Sequence, residues 1–190
     1  GDLAVVAGDQ RLTFAEVKEA VDRAAAAVTG RAAGVRGGVV MSPRVGMESV
    51  LLLLGALATG IPARLVPSGG NTAALAESAG AIVLEGMNGG AGLAAPKHFT
   101  RDELQQPAVT LDGVEGSVHH SHRSLLAMVI SLCTYLDAGR RPWLVTLPLS
   151  RWEGLVSLLA PLYLGVPAVL LPEEANEAAL AETIAREEVG

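Results

Sequence analysis

Aromatic side chains are scarce in this sequence, with two each of Phe, Trp and Tyr among 190 residues. Half of the residues are hydrophobic, so the core has to be built from Ala, Val and Leu. That aliphatic bias suits buried parallel strands covered by Ala-rich helices. A single cysteine, Cys133, excludes an internal disulfide and any Cys-based zinc cluster. Its apolar place in a helical pattern makes it a small core residue. Positive charge is also lacking. A formal net charge of -6 argues against an electrostatic grip on nucleic acid or an anionic membrane. The most apolar run, "VLLLLGALATGI" from Val50 to Ile61, is too short to span a bilayer as a helix. The first residues show no basic region followed by an apolar stretch and a cleavage site. Together these absences set the expectation of a cytoplasmic, reduced setting, with no nucleic-acid partner and no membrane span.

The length fits one domain over residues 1–190. "LAVVAGDQRLT" reads as a hairpin turning at Gly8-Asp9. Thr13 and Glu16 form a capping box, and Phe14, Val17, Val21, Ala24, Ala25 and Val28 recur at helical spacing to about Thr29. "VRGGVVMSP", "VGMESVLLLLGALATG" and "IPARLVP" then read as strand, helix and strand, a crossover that implies parallel pairing. Asn71 caps a short helix through Ser78, and "GAIVLEG" is the next strand. Residues 87–97, rich in Gly and Ala and without periodicity, are expected to be a mobile surface loop. "QPAVTLDG" follows as a strand. Ser121 starts a helix whose apolar face includes Leu125, Leu126, Val129, Leu132 and Leu136. "PWLVTLPLS", "RWEGLVSLLAPLYLG" and "VPAVLLPE" repeat the strand, helix and strand order, with Pro161 expected to kink or divide its helix. An amphipathic helix closes the sequence. The fold class that follows is α/β, a doubly wound, mostly parallel sheet with flanking helices and an N-terminal hairpin.

Potential metal ligands concentrate only in His119, His120 and His122. No Cys or carboxylate lies at a helpful spacing downstream, so exposed imidazoles at a helix start are expected and no metal site is assigned. Ser121 and Ser124 lie outside any Gly-x-Ser-x-Gly elbow, and Ser121 reads as an N-cap. "GVRGG" and "GMNGGAG" do not join a strand to a helix in the way a dinucleotide fingerprint requires, so these glycines serve turns. Glu173, Glu174, Glu187 and Glu188 are expected to be solvated at the two ends of the last helix. Arg151 and Trp152, at the carboxyl end of a strand, sit where open α/β sheets commonly bind ligands.

The order and wording of these segments resemble the N-terminal part of the adenylate-forming (AMP-binding) superfamily, which includes acyl-CoA ligases and the adenylation domains of peptide synthetases. "VVAGDQRLTFAEVKEAVDRAAAAV" is similar to that family's opening hairpin and first helix. "GVVMSPRVGMESVLLLLGALATGIPARLVPSGG" is similar to its next strand, long helix and proline-bearing strand end. "SHRSLLAMV" resembles the helix after its phosphate loop, and "LVTLPLSRWEGLVSLLAPLYLGVPAVLLP" the strand, helix and strand beyond. The family's phosphate loop reads Ser/Thr-Ser-Gly-Ser/Thr-Thr-Gly-x-Pro-Lys-Gly. Here "TLDGVEGSV" leaves a remnant made of Thr110, Asp112, Gly113, Glu115, Gly116 and Ser117, about two residues short and without the Pro-Lys pair. Asp112 and Glu115 fall where the family has hydroxyls, and carboxylates there repel a triphosphate. Ser150 and Arg151 take the places of the aromatic residue and histidine of the family's Pro-Leu-Phe/Tyr-His sequence.

The resemblance implies a truncated or degenerate acyl-CoA-synthetase-like lobe. Family chemistry is ATP-dependent carboxylate adenylation with Mg²⁺, followed by thioester formation. This chain is expected to be inactive alone, with no catalytic residue and no cofactor of its own. The alternative is a non-catalytic interaction or acyl-ligand-binding module on the same scaffold, with Arg151 and Trp152 as the ligand-binding pair. A second copy, a complete ligase or a carrier protein would be its partner. Residues 112 to 118 are expected to join a strand to the N-terminus of the Ser121 helix, with Asp112 and Glu115 held in that helix's dipole field.

Overall fold

The computed structural model describes residues 1–86, 97–113, 116–136, 140–172 and 174–189. The segment expected to be a mobile loop lies, except for Lys97, outside the described residues, as do Glu115 and Glu173.

The strands fall into two sheets rather than one. β1 (Leu3–Ala7) and β2 (Gln10–Thr13) form the expected hairpin. β1 also pairs in parallel with β9 (Ala168–Leu170), which pairs in parallel with β8 (Trp143–Val145). This gives a four-stranded sheet of order β2-β1-β9-β8. The other sheet has five strands in the order β5-β3-β4-β6-β7, formed by β3 (Val39–Met41), β4 (Ala63–Leu65), β5 (Ile82–Val83), β6 (Pro107–Gly113) and β7 (Gly116–Ser121). All of its pairings are parallel except β6 with β7. The α/β class and mostly parallel pairing are those expected.

The helices start and stop where their caps dictate. α1 (Phe14–Arg31) opens on the Thr13–Glu16 capping box. α2 (Met47–Thr59) ends at Gly60, which adopts the left-handed conformation that glycine tolerates. α3 (Thr72–Ala79) is capped by the Asn71 side chain, and α4 (His122–Tyr135) by that of Ser121. α5 (Trp152–Leu164) connects β8 to β9, and α6 (Glu177–Glu187) starts at Asn176. Pro161 neither divides nor ends α5. It lies within the last turn and is buried, so the amide hydrogen bond it forgoes is offset by packing.

α2 is buried over most of its circumference, from Val50 through Leu53 and again at Ala56. It touches β1 of one sheet and β4 of the other, and one apolar core runs through both sheets. α1 closes against it at Gly55, where a Cβ would fall 2.6 Å from the Ala24 methyl. Two expectations for side chains are corrected. On α4, Leu125 and Val129 are buried, but Leu126 and Leu136 are exposed, because only one side of that helix meets the sheet and α5. On α6, Glu187 is not solvated. Arg11 donates two hydrogen bonds to it, of 2.9 and 2.7 Å, and Arg186 a third of 2.8 Å.

Candidate ligand cleft at the hairpin tip

β6 and β7 are joined across residues 114 and 115, with Gly113 opposite Gly116 and Thr110 opposite His119. The backbone at Gly116 has a φ of 132°, open to glycine and strained for other residues. The segment expected to run from strand to helix start is therefore a tight hairpin, and all of β7 intervenes before Ser121 caps α4. Six residues of strand put Asp112 roughly 17 Å from that helix start. The dipole field is out of its reach.

Asp112 has a different counterion. Arg64, on the neighbouring strand β4, donates from Nε and Nη2 to its two carboxylate oxygens at 2.5 and 2.8 Å. Ser117 Oγ donates to the same carboxylate at 2.5 Å, and Arg64 Nη2 also reaches Ser117 Oγ at 3.2 Å. Burial alone would raise the Asp112 carboxyl, but the hydrogen bonds from Arg64 and Ser117 together hold it below its ordinary value. The carboxylate is thus ionised, neutralised and fixed. Nearby, Thr110 Oγ1 hydrogen-bonds His119 Nδ1 at 2.8 Å. Burial, followed by the closeness of His119, lowers the basicity of His120.

One face of this hairpin and the start of α5 enclose an open cleft of about 1010 Å³. Asp112, Gly116 and Ser117 line it from the hairpin, Ser150 and Arg151 from the turn before α5, and Trp152 and Glu153 from its first residues, so the two sets of residues singled out in the sequence border one space. Thr110 is not in this lining. Leu111, Val118 and Met128 supply an apolar floor, and His120 adds an imidazole. The Trp152 side of the cleft is fixed by Gly154, where a Cβ would fall 2.2 Å from the Pro148 carbonyl oxygen. Only glycine lets α5 begin so close to the turn that precedes it.

The polar groups at this helix start are incompletely paired. Ser150 is 5 % exposed, and the enclosed side-chain atom here without a hydrogen-bond partner among the described residues is Glu153 Oε2. Arg151 is exposed, with its Nε 3.5 Å from Glu153 Oε2, and no side chain caps α5. An oxyanion at this point would meet a hydroxyl, a guanidinium and the amides of a first helical turn, but also the Glu153 carboxylate, which lines the same cleft.

The described residues of the hairpin's turn carry no lysine, and the cation beside them, Arg64, is already bound to Asp112 on two sides. Among the described residues, no group of three or more His, Cys, Asp or Glu side chains comes together in a way that could hold a metal ion. His122 departs from the exposed imidazole expected. Its Nε2 lies 2.9 Å from the Leu57 carbonyl oxygen and its ring packs on Phe99 at 4.6 Å, which ties the start of α4 to the end of α2.

Sequence reasoning missed Arg64, Met128 and Leu111 as members of this neighbourhood. A signal existed for Arg64 alone: a charged residue in the otherwise apolar strand "IPARLVP" requires a partner.

No family model matches the sequence, and no curated protein matches it. Solved structures do. An o-succinylbenzoate coenzyme A synthetase (MenE) from Bacillus subtilis, in complex with AMP, superposes with a TM-score of 0.84 at 19% identity, covering 98% of this chain and 56% of that one. The same synthetase with ATP and magnesium gives 0.84 at 19% identity, over 99% of this chain and 58% of that one. A nonribosomal peptide synthetase, FmoA3, in its AMPPNP-bound form gives 0.79 at 23% identity, over 99% of this chain and 23% of that one. The chain thus spans about half of the synthetases it matches and under a quarter of the peptide synthetase. It shares the fold of the part of these two enzymes that it covers.

Proposed function

We propose that this chain is a lobe of acyl-CoA-ligase type that does not by itself activate a carboxylate. The observation that carries this reading is the Arg64–Asp112–Ser117 network, which fills with a fixed carboxylate the place where the resemblance calls for hydroxyls and a lysine. The structural neighbours bind AMP, ATP and magnesium. In this chain an approaching γ-phosphate would have to displace an intramolecular carboxylate that is held by charge-assisted hydrogen bonds. Pyrophosphate exchange with a panel of carboxylic acids, together with calorimetric titration of ATP and Mg²⁺, tests the proposal. No exchange and no heat of binding are expected. Robust exchange by the chain alone overturns it.

The cleft favours a second reading, in which the lobe holds an acyl or aromatic acid without performing chemistry. Ser150 and the start of α5 would meet the carboxylate, Arg151 would pair with it, and Trp152 would cover the apolar body. Arg151→Ala is then expected to weaken an anionic ligand about tenfold and to leave its neutral amide analogue nearly unchanged. Equal losses for the two ligands would reject this role for Arg151.

A further inference from the structure

Residues 97–105, which include a single 3-10 turn over Glu103–Gln105, lie against the end of α2 and the start of α4. Phe99 is the anchor. A Cβ on Gly60 would fall 2.6 Å from its ring, and the His122 imidazole packs on it at 4.6 Å. Lys97 Nζ stands 5.1 Å from the centre of the same ring and 3.1 Å from Glu103. The Glu103 carboxylate in turn accepts from the Thr100 amide and hydroxyl at 2.9 and 3.0 Å. The Thr100 amide, then Lys97 and the Thr100 hydroxyl, hold the Glu103 carboxyl down to about 2. These polar attachments therefore stay constant across the range in which histidines titrate.

His122 is different. A carbonyl oxygen can only accept, so the 2.9 Å contact with Leu57 places a proton on Nε2. Nδ1 is enclosed and, among the described residues, has no hydrogen-bond partner. In the neutral ring that nitrogen carries an unused lone pair. In the imidazolium it would carry an N–H and part of a positive charge with nothing to receive them, which costs far more. The charged and titratable groups on the surrounding elements supply no acceptor. The last turns of α2 have none. The segment itself carries Lys97, His98, Arg101, Asp102 and Glu103, and the charge placed over the Phe99 ring is the cation Lys97. On β6 and β7, Asp112 is held by Arg64 and Ser117, His119 is bonded to Thr110, and His120 faces the hairpin cleft. Arg123 follows on α4, and Glu153 at the start of α5 pairs with Arg151.

We propose that residues 97–105 form an acid-released clasp: neutral His122, protonated on Nε2, lets Phe99 close over the end of α2, and a proton on Nδ1 opens it. Protons bind preferentially to the open form, so the clasp is shut above the ordinary histidine range and loosens as pH falls through it. Neither His122 nor this segment lines the hairpin cleft, and the clasp does not depend on the reading given to that cleft.

Histidine-ring ¹⁵N correlation spectra and amide hydrogen exchange of the whole chain test it. At about pH 7.5 the His122 ring is expected to carry a proton on Nε2 and none on Nδ1. The Leu104 and Gln105 amides donate to the Thr100 and Asp102 carbonyls. At about pH 5.5 their protection, corrected for intrinsic exchange, is expected to fall about tenfold, the proton-linked change across one unit below the ordinary histidine value. His122→Gln can still donate to the Leu57 carbonyl but does not titrate, and it is expected to abolish the fall. His98→Gln removes an exposed ring that the clasp does not use, and the fall is expected to persist. A proton on Nδ1 at the higher pH, equal protection at the two pH values, a fall that survives His122→Gln, or one that vanishes in His98→Gln would each overturn the proposal. Should His122→Gln not fold, the ring spectra and exchange of the natural chain, with His98→Gln beside it, still decide.

Discussion

Arg64→Met would leave the Asp112 carboxylate with Ser117 as its remaining described partner, in a place where 14% of its side chain is exposed. Losing a charge-assisted pair around a partly buried ion is expected to cost about 2 kcal/mol in urea unfolding. Arg64→Met combined with Asp112→Leu should recover much of that loss, because an apolar pair leaves no buried charge behind. The pH dependence has a definite sign. The folded-state Asp112 carboxyl is depressed, so its contribution is fully present above the ordinary carboxylate value and is lost as pH falls through the lower, folded value. The stability difference between the natural chain and Asp112→Asn should therefore be constant near neutrality and shrink below about pH 4. A difference that grows on acidification would contradict the pairing. In sequence, Asp112 reads simply as a charge hostile to phosphate, whereas its partner lies 48 residues earlier on another strand. The carboxylate's place was legible and its neutralisation was not, because a pairing across strands depends on register, which local pattern does not specify.

Helices were easier to read from sequence than strands because their signals are local. The capping box at Thr13, the side-chain caps at Asn71 and Ser121, and the glycine stop at Gly60 each lie within a few residues of the boundary they set. Strand ends were less clear. "VRGGVVMSP" narrows to Val39–Met41 because Gly37 donates its amide to the Gly80 carbonyl and Gly38 takes a φ of 77°. The hairpin between β6 and β7 was read as a loop because "GSVHHS" has no clean alternation, being largely exposed on the edge of its sheet. α5 offers a test at this scale. Gly154→Ala would set a methyl against the carbonyl oxygens of Pro148 and Leu147, at 2.2 and 2.6 Å before any shift. A loss of about 1–3 kcal/mol is expected, as for overpacked sites, with perturbed Trp152 indole resonances as the start of α5 moves away from the cleft. An unchanged Tm would mean that this helix start is freer than the close approach implies.

Across the whole molecule, the alternation of strands and helices fixed the class but not the division into two sheets. β9 joins β1 across more than 160 residues of chain, and nothing in either segment's composition distinguishes that partner from β3 or β4. α2 reconciles the two sheets by being apolar nearly all round. What the whole leaves uncovered bears on its associations. Leu126 and Ile130, one turn apart on α4, are 48 % and 42 % exposed, and Tyr163 on α5 is 55 % exposed. Helices that cover parallel sheets usually turn such residues inward. The chain spans 56% and 58% of the synthetases whose fold it shares. The expected outcome is concentration-dependent association of the isolated chain in light scattering, together with binding of an apolar dye. The double substitution Leu126→Gln and Ile130→Gln should reduce both while leaving the thermal midpoint within about 2 °C, because exposed positions contribute little to folding. A monodisperse monomer that binds no dye would remove the case for a protein partner on this face.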